Sequence, residues 1–110
     1  MKIAIPVTGN ILSERFGECS HYIVFEIENK TIVSKKTEVP PIKSIEKLAS
    51  WAKDSGITDV IVNNISSNYL NYFSDTKINL FVGVKPNNPE LLIEEYLNGT
   101  LQSDAHNFTV

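Results

Sequence analysis

The sequence predicts a single α/β domain with a mixed sheet of about five strands, and three observations support that class. Short apolar runs rich in β-branched residues have the length of buried strands. A polar break at residues 28–30 separates two such runs, which predicts an antiparallel hairpin. After the hairpin, helical and strand patterns alternate, as they do in βαβ crossovers. We expect no internal repeat and no linker.

The first half of the chain predicts three strands, at residues 1–7, 22–27 and 31–37. The second and third of these form the hairpin, and its last strand is expected to be exposed at an edge of the sheet. Pro6 lacks a backbone N–H, so we expect it at a strand end or an unpaired edge. Residues 11–12 are a short apolar pair, expected to plug the core.

The second half predicts three helices and two strands. An amphipathic helix begins at Ser44 and ends before Gly56, because its apolar positions recur at three- and four-residue spacing. Those positions are Ile45, Leu48, Ala49 and Ala52. The other elements are a strand at 57–62, a helix at 68–73, a strand at 78–82 and a helix from Pro89 to Gly99. We expect the domain to span residues 1–99 and residues 100–110 to be a polar tail.

Composition and charge exclude several classes of protein. No apolar run approaches the roughly 20 residues of a membrane helix. The start does not have the pattern of a secretory signal, and one cysteine excludes an internal disulfide. A net charge of -3, with no basic run longer than Lys35-Lys36, gives no electrostatic footprint for nucleic acid. We therefore expect a cytoplasmic protein that binds neither membrane nor nucleic acid.

The candidate functional site is the loop from Ser13 to His21, because loops beyond strand ends collect ligand sites. Cys19 and His21 offer a thiolate and an imidazole, which suit iron, zinc or an iron-sulfur cluster, although two ligands do not complete a tetrahedral site. We expect the loop to form an open pocket rim with the Cys19 sulfur pointing outward. The alternative is that Cys19 is a small buried hydrophobe and that His21 makes an ordinary hydrogen bond.

Three further features have two interpretations each. Phe16-Gly17 is either a plug and a turn or an aromatic wall beside a backbone that approaches a ligand closely. Asn63-Asn64 either caps the following helix, the commoner role, or presents amides to a ligand near that helix. His106, close to Asp104, resembles a loose metal-binding tail, but such a histidine more often has no role.

No catalytic motif is found. The sequence has no phosphate-binding Gly-x-x-x-x-Gly-Lys-Ser/Thr, no Gly-x-Gly-x-x-Gly, no Cys-x-x-Cys, no His-Glu-x-x-His and no Gly-x-Ser-x-Gly. The first strand carries no carboxylate, so the two-metal chemistry of a nuclease is not expected. We therefore expect a protein that is not an enzyme.

The opening Met-Lys-Ile-Ala-Ile-Pro-Val, the pattern Ser13-x-x-Phe16-Gly17-x-Cys19-x-x-Tyr22 and the order of later elements resemble the dinitrogenase iron-molybdenum cofactor accessory family. The resemblance spans nearly the whole domain. It implies a ribonuclease H-like fold, a three-layer α/β/α sandwich, and non-enzymatic binding or carriage of iron-molybdenum cofactor or its iron-sulfur precursor.

Carried over residue by residue, the resemblance assigns the loop pattern to Ser13, Phe16, Gly17 and Cys19. Two departures stand out. Asn63-Asn64-Ile65 stands where the family often has a Gly-Gly-Ile turn, and residues 41–44 lack a histidine that family members often carry near their first helix.

Two function classes follow. The first is a carrier of an iron-sulfur or iron-molybdenum type cluster or its precursor, with the Phe16 to His21 loop as its site, Cys19 as the first candidate ligand and His21 as the second. The second is an interaction or regulatory module that keeps the fold without a cluster. Such a module would meet a protein partner, or a second copy of the chain, through the same loop or the hairpin edge.

Overall fold

The computed structural model describes residues 1–39, 45–74, 76–102 and 108–109. The α/β class and the mixed sheet expected from the sequence are confirmed. The strands are β1 (Lys2–Thr8), β2 (Ile11–Leu12), β3 (His21–Glu28), β4 (Thr31–Glu38), β5 (Asp59–Ile61), β6 (Ile65–Ser66), β7 (Asn79–Phe81) and β8 (Phe108–Thr109). The helices are α1 (Ile45–Asp54), α2 (Ser67–Phe73) and α3 (Pro89–Asn98).

The main sheet has the strand order β4-β3-β1-β5-β7, with β2 paired to the end of β1. β1 is antiparallel to β3 and parallel to β5, and β5 is parallel to β7. The described part of the sheet thus has six strands, and the expected count of about five is wrong. The sixth is β2, where Leu12 pairs with Val7. Two residues are too short to show a strand period, so their pairing was not visible in the sequence.

Pro6 lies inside β1 and not at its end. Its carbonyl oxygen accepts a hydrogen bond from the Ser13 N–H at 2.9 Å, on the side of β1 where the pairs with β5 stop at Ala4. The N and O atoms of one strand residue face the same side. The side of Pro6 that lacks an N–H therefore faces a stretch where no neighbouring strand requires a hydrogen-bond donor. Proline is tolerated in a sheet at such positions.

The hairpin of β3 and β4 is confirmed, and a tight turn closes it. Both central residues of the turn, Asn29 and Lys30, have positive φ angles of 51° and 62°. That conformation is typical of the two-residue turns whose twist matches the flanking strands. Lys35 of β4 forms an ion pair with Glu90 of α3, which joins the hairpin to that helix.

The two faces of the sheet form separate cores. Ala4 faces the core that holds α1 and α2, whereas its neighbours Ile3 and Ile5 face the core that holds α3. This division follows from the alternation of side chains along a strand. Each fully buried aliphatic or aromatic side chain contributes about 1.5–3 kcal/mol to these cores.

Local signals in the sequence account for the helix ends. Asn88 accepts hydrogen bonds from the N–H groups of Glu90 and Leu91, Pro89 is the first residue of α3, and Gly99 ends the helix at φ 73°. In α1, the expected core positions Leu48, Ala49 and Ala52 are buried. The expected cap Ser44, together with residues 41–44 as a whole, lies outside the described residues.

The tail contributes the strand β8, which pairs in parallel with β6. The domain limits of 1–99 and 100–110 remain a prediction, and His106 lies outside the described residues. Within the described ranges, no helix has the length and apolar character needed to cross a membrane.

The sheet also determines where a site can form. Because β1, β5 and β7 are parallel, the loops that follow them meet at one edge of the sheet. Ligand sites in α/β proteins collect at that edge, beyond the carboxyl ends of the strands.

Candidate functional site

The loop of residues 13–20, which connects β2 to β3, is fixed at its start, middle and end. Its first residue, Ser13, is bonded to β1 as described above. In the middle, the Phe16 N–H donates to the Asn64 carbonyl at 2.9 Å. At the end, the Ser20 N–H donates to the Val7 carbonyl at 2.9 Å. The loop is therefore docked against the turn that follows β5.

A cleft of about 230 Å³ opens between this loop and α2. Pockets for drug-sized organic ligands measure about 300–1,000 Å³, so this cleft suits a smaller group. Its lining combines charged, polar and aromatic side chains: Arg15, Phe16, Glu18, Asn64, Ser66 and Tyr69.

Phe16 forms the apolar wall of the cleft. Its ring is buried and makes edge-to-face contacts with Tyr69 at 5.2 Å and Phe73 at 5.4 Å between ring centroids. A further edge contact joins it to Tyr22 at 6.2 Å. Such pairs are the favoured arrangement of aromatic rings. The ring plugs the core, as the first interpretation of Phe16 expects, and it also lines the cleft.

Gly17 is required by a close approach of Tyr69. Its φ of 94° lies in the region that favours glycine, and a Cβ built on it would overlap the Tyr69 hydroxyl. The group that approaches the Gly17 backbone is therefore a side chain of this protein.

Cys19 is buried, with 5% of its surface exposed, in the core that contains Phe16 and Tyr22. The expectation of an outward-pointing sulfur is wrong. A thiol behaves as a small hydrophobe, and the aromatic core beneath the loop offers it a packed environment. Cys19 shares this core with Phe16, but it does not line the cleft.

Two tyrosine hydroxyls flank the Cys19 thiol. Tyr22 is 2% exposed, and its hydroxyl lies beside the Cys19 thiol. Burial raises the pKa of Tyr22 well above its usual value, and the negative charge of Cys19 as a thiolate and a hydrogen bond with Cys19 add to the effect. Burial also raises the pKa of Tyr69, with smaller contributions from Glu18 and Cys19. Both phenols therefore stay protonated at neutral pH and can donate hydrogen bonds.

His21 lies on the opposite face of the sheet from Cys19. It is paired with Val7, whose side chain belongs to the α3 core, whereas the next residue, Tyr22, belongs to the α1 and α2 core. Its Nδ1 is 2.9 Å from the Ser20 Oγ. The two candidate metal ligands are thus not brought together. Across the described ranges, no group of three His, Cys, Asp or Glu side chains converges.

The remaining candidates brace the loops or line the cleft. The Ser13 hydroxyl is hydrogen-bonded to that of Thr8, at the start of the loop. Asn63 donates through Nδ2 to the Val84 carbonyl at 2.9 Å and so joins the turn after β5 to the segment after β7. Asn64 lines the cleft.

Sequence reasoning missed four residues of the cleft, Arg15, Glu18, Ser66 and Tyr69. Arg15 and Glu18 are exposed, 4.0 Å apart, and flank Phe16 and Gly17 in the loop. Their position beside Phe16 and Gly17 in the predicted site loop could have identified them as candidate residues of the cleft. Ser66 and Tyr69 are far away in the sequence, and only the folded chain brings them to the loop.

Two comparisons with known proteins each match most of the chain. A family model described as dinitrogenase iron-molybdenum cofactor matches residues 1–99. MJ0580, an uncharacterised protein of Methanocaldococcus jannaschii, is 30% identical over 109 residues, which cover 93% of this chain and 90% of that protein.

Solved structures share the fold. The crystal structure of PH0822 superposes with a TM-score of 0.87 at 23% identity and covers 96% of this chain and 97% of that one. The apo form of the orange protein from Desulfovibrio gigas has a TM-score of 0.78 at 12% identity, and the match covers 94% of this chain and 92% of that one.

Proposed function

Because this chain belongs to the dinitrogenase iron-molybdenum cofactor family, we propose that it is a non-enzymatic carrier of an iron-sulfur or iron-molybdenum type cluster or its precursor. One observation carries the proposal: a small cleft opens at the carboxyl edge of the parallel strands, and Cys19 is buried in the same core as Phe16, which lines that cleft. That edge is where α/β folds bind ligands. A reducing compartment such as the cytoplasm fits a carrier that uses a single thiol.

The lining of the cleft suits a sulfide-bearing cargo. The amide of Asn64 and the hydroxyl of Ser66 can donate hydrogen bonds to cluster sulfides, and Arg15 can offset a negative cluster charge. Phe16 supplies an apolar wall. Cys19 can supply one thiolate, which is the form of cysteine that binds metal.

A partial set of protein ligands is consistent with carriage. A cluster enclosed by four protein ligands is held as a resident cofactor. With one thiolate and several hydrogen-bond donors, the protein would bind a preassembled cluster weakly enough to pass it on. We therefore propose binding and transfer, with no catalytic step.

Anaerobic reconstitution with iron and sulfide tests the carrier proposal. We expect visible charge-transfer bands in the parent protein and their loss, together with most of the bound iron, in Cys19→Ser. His21→Ala is the matched control, because His21 lies on the other face of the sheet, and we expect it to load iron like the parent. Equal loading of parent and Cys19→Ser would remove Cys19 from the proposal, and colourless protein in both would contradict the carrier proposal as a whole and favour the interaction module.

The second candidate function is an interaction or regulatory module, and the edge strand β4 favours it. Ile32 and Val33 are 40% and 50% exposed, and no described strand pairs with the outer side of β4. Exposed edge strands can pair with other chains. The lysines of β4 limit such pairing.

Measuring the molecular mass of the protein in solution tests whether β4 pairs between copies of the chain. If β4 pairs between copies, Val33→Lys is expected to convert a dimer of the parent protein to a monomer, as read by light scattering after gel filtration. Thr31→Lys, a change in the same strand beside the hairpin turn, is the control. A parent protein that is monomeric at all concentrations would contradict self-association through β4.

We also propose that the two cores define the three-layer α/β/α sandwich of the ribonuclease H-like fold. The support is that α1 and α2 share one core with the sheet, while α3 shares the other.

A further inference from the structure

We propose that a second cavity, beside α3, binds a small zwitterion with an apolar side chain, the chemistry shared by apolar amino acids and short peptides. This α3 cavity is lined by residues 83–85 and 87 after β7, by Leu92 and Glu95 of α3, and by residues 100–102 after that helix. It shares no lining residue with the cleft, so it is a separate site.

The α3 cavity has the size and the position of a ligand site. Its volume is about 490 Å³, more than twice the 230 Å³ of the cleft. Pockets for small organic ligands measure about 300–1,000 Å³. Residues 83–87 follow β7, so the cavity opens at the carboxyl ends of the parallel strands, where ligands of α/β proteins bind. It can therefore hold an organic molecule that the cleft is too small to enclose.

The inner wall of the α3 cavity is apolar. Val84 and Leu92 are 1% and 2% exposed and belong to the α3 core. Leu101 is partly buried and packs against the same core. An apolar side chain placed on this wall would be removed from water, which favours binding.

Two opposite charges belong to the same lining, Lys85 and Glu95. Among the described residues, the ion pairs are Arg15–Glu18 and Lys35–Glu90, and neither Lys85 nor Glu95 takes part. Glu95 is also partly buried, whereas the adjacent Glu94 is exposed. It lies three residues after Leu92, on the same face of α3. A carboxylate in that position would be stabilised by a cationic group of a ligand.

The class of ligand follows from this pair of charges. A ligand ammonium group can donate to Glu95, while a ligand carboxylate can accept from Lys85. A simple anion or a simple cation would engage only one of the two. Asn87, Thr100 and Gln102 add amide and hydroxyl groups to the lining, which can bond the polar backbone of an amino acid or a peptide.

Calorimetric titration of the iron-free protein with leucyl-leucine and with leucine tests the site. We expect binding of the zwitterion, and whichever of the two binds more tightly identifies the source as a peptide or a free amino acid. Acetylation of the leucyl-leucine amino end, or amidation of its carboxyl end, should each weaken binding about tenfold, the loss expected for one hydrogen bond to a charged group.

Variants of the protein assign each charge. Glu95→Gln should make binding insensitive to acetylation of the ligand, and Lys85→Gln should make it insensitive to amidation, because each pair of changes removes the same contact. Glu94→Gln is the control for the first and Lys53→Gln for the second. Both residues are exposed and lie outside the cavity lining, so binding should match the parent within about twofold. Urea unfolding shows that each variant is folded.

Three results would overturn the proposal. The first is a protein that binds neither leucine nor leucyl-leucine. The second is equal binding of the free and the capped peptides, which would show that the two charges are not read. The third is a ligand that shifts the amide resonances of residues 13–18 and leaves those of residues 83–85 unchanged, since it would occupy the cleft. Iron plays no part in these measurements, so the carrier proposal stands or fails independently.

Discussion

Replacing Phe16 with alanine is expected to lower the free energy of unfolding by about 3–5 kcal/mol, the usual range for a buried phenylalanine. The ring is buried and meets Tyr22, Tyr69 and Phe73 edge to face. Its removal leaves a cavity in the core beneath the loop and removes one edge-to-face contact from each of these three aromatic rings. Because small domains are stable by only about 5–15 kcal/mol, Phe16→Leu is a second variant that keeps the protein folded. Urea unfolding followed by circular dichroism measures the change.

Phe25→Ala is the control for this prediction. Phe25 is equally buried but belongs to the α3 core, so its loss should be of similar size. Only the Phe16 variants should alkylate Cys19 faster under conditions where the protein remains folded. Equal alkylation rates in Phe16→Leu and Phe25→Leu would show that the loop is not held by its aromatic ring.

Gly17→Ala is expected to lower the free energy of unfolding by about 1–3 kcal/mol and to expose Cys19. A non-glycine residue at φ 94° costs energy of that order. The added Cβ would also overlap the Tyr69 hydroxyl, and the far end of that side chain is what can give way. We therefore expect faster alkylation of Cys19 together with the loss of stability, measured on the same samples.

Gly9→Ala separates the two effects. Gly9 also has a positive φ, 66°, but no described atom lies within 4 Å of the Cβ it would gain. It should lose stability without any change in Cys19 alkylation. In the double variant Gly17→Ala/Tyr69→Ala, alkylation should be no faster than in Tyr69→Ala alone, since both changes remove the same contact. Additive effects would mean that Gly17 acts through another part of the loop.

Much of the fold could be predicted because its signals are local. The cap Asn88, the first-turn Pro89 and the terminal Gly99 bound α3 within a few residues of sequence. The hairpin was visible from its polar break and alternating strands. β2 was not, because two residues cannot display a period and their pairing depends on the turn at residues 9–10.

The site could be predicted in part. The loop predicted as the candidate site does line a cleft, but the burial of Cys19 depends on aromatic residues that come from α2 and β3. Tyr69 gives no sign in the sequence of its contact with Gly17. The separation of His21 from Cys19 follows from strand alternation once the register of β3 with β1 is known.

The most direct test of the cleft as the cargo site is nuclear magnetic resonance of the protein reconstituted with iron and sulfide. A bound iron centre broadens the amide signals of nearby residues. Broadening should be strongest at Arg15, Phe16, Gly17 and Cys19 of the loop and at Asn64 and Ser66 across the cleft, with β4 unaffected. Broadening centred elsewhere, such as on the segment of residues 83–87, or uniform sharp signals in a protein that contains iron, would contradict this assignment.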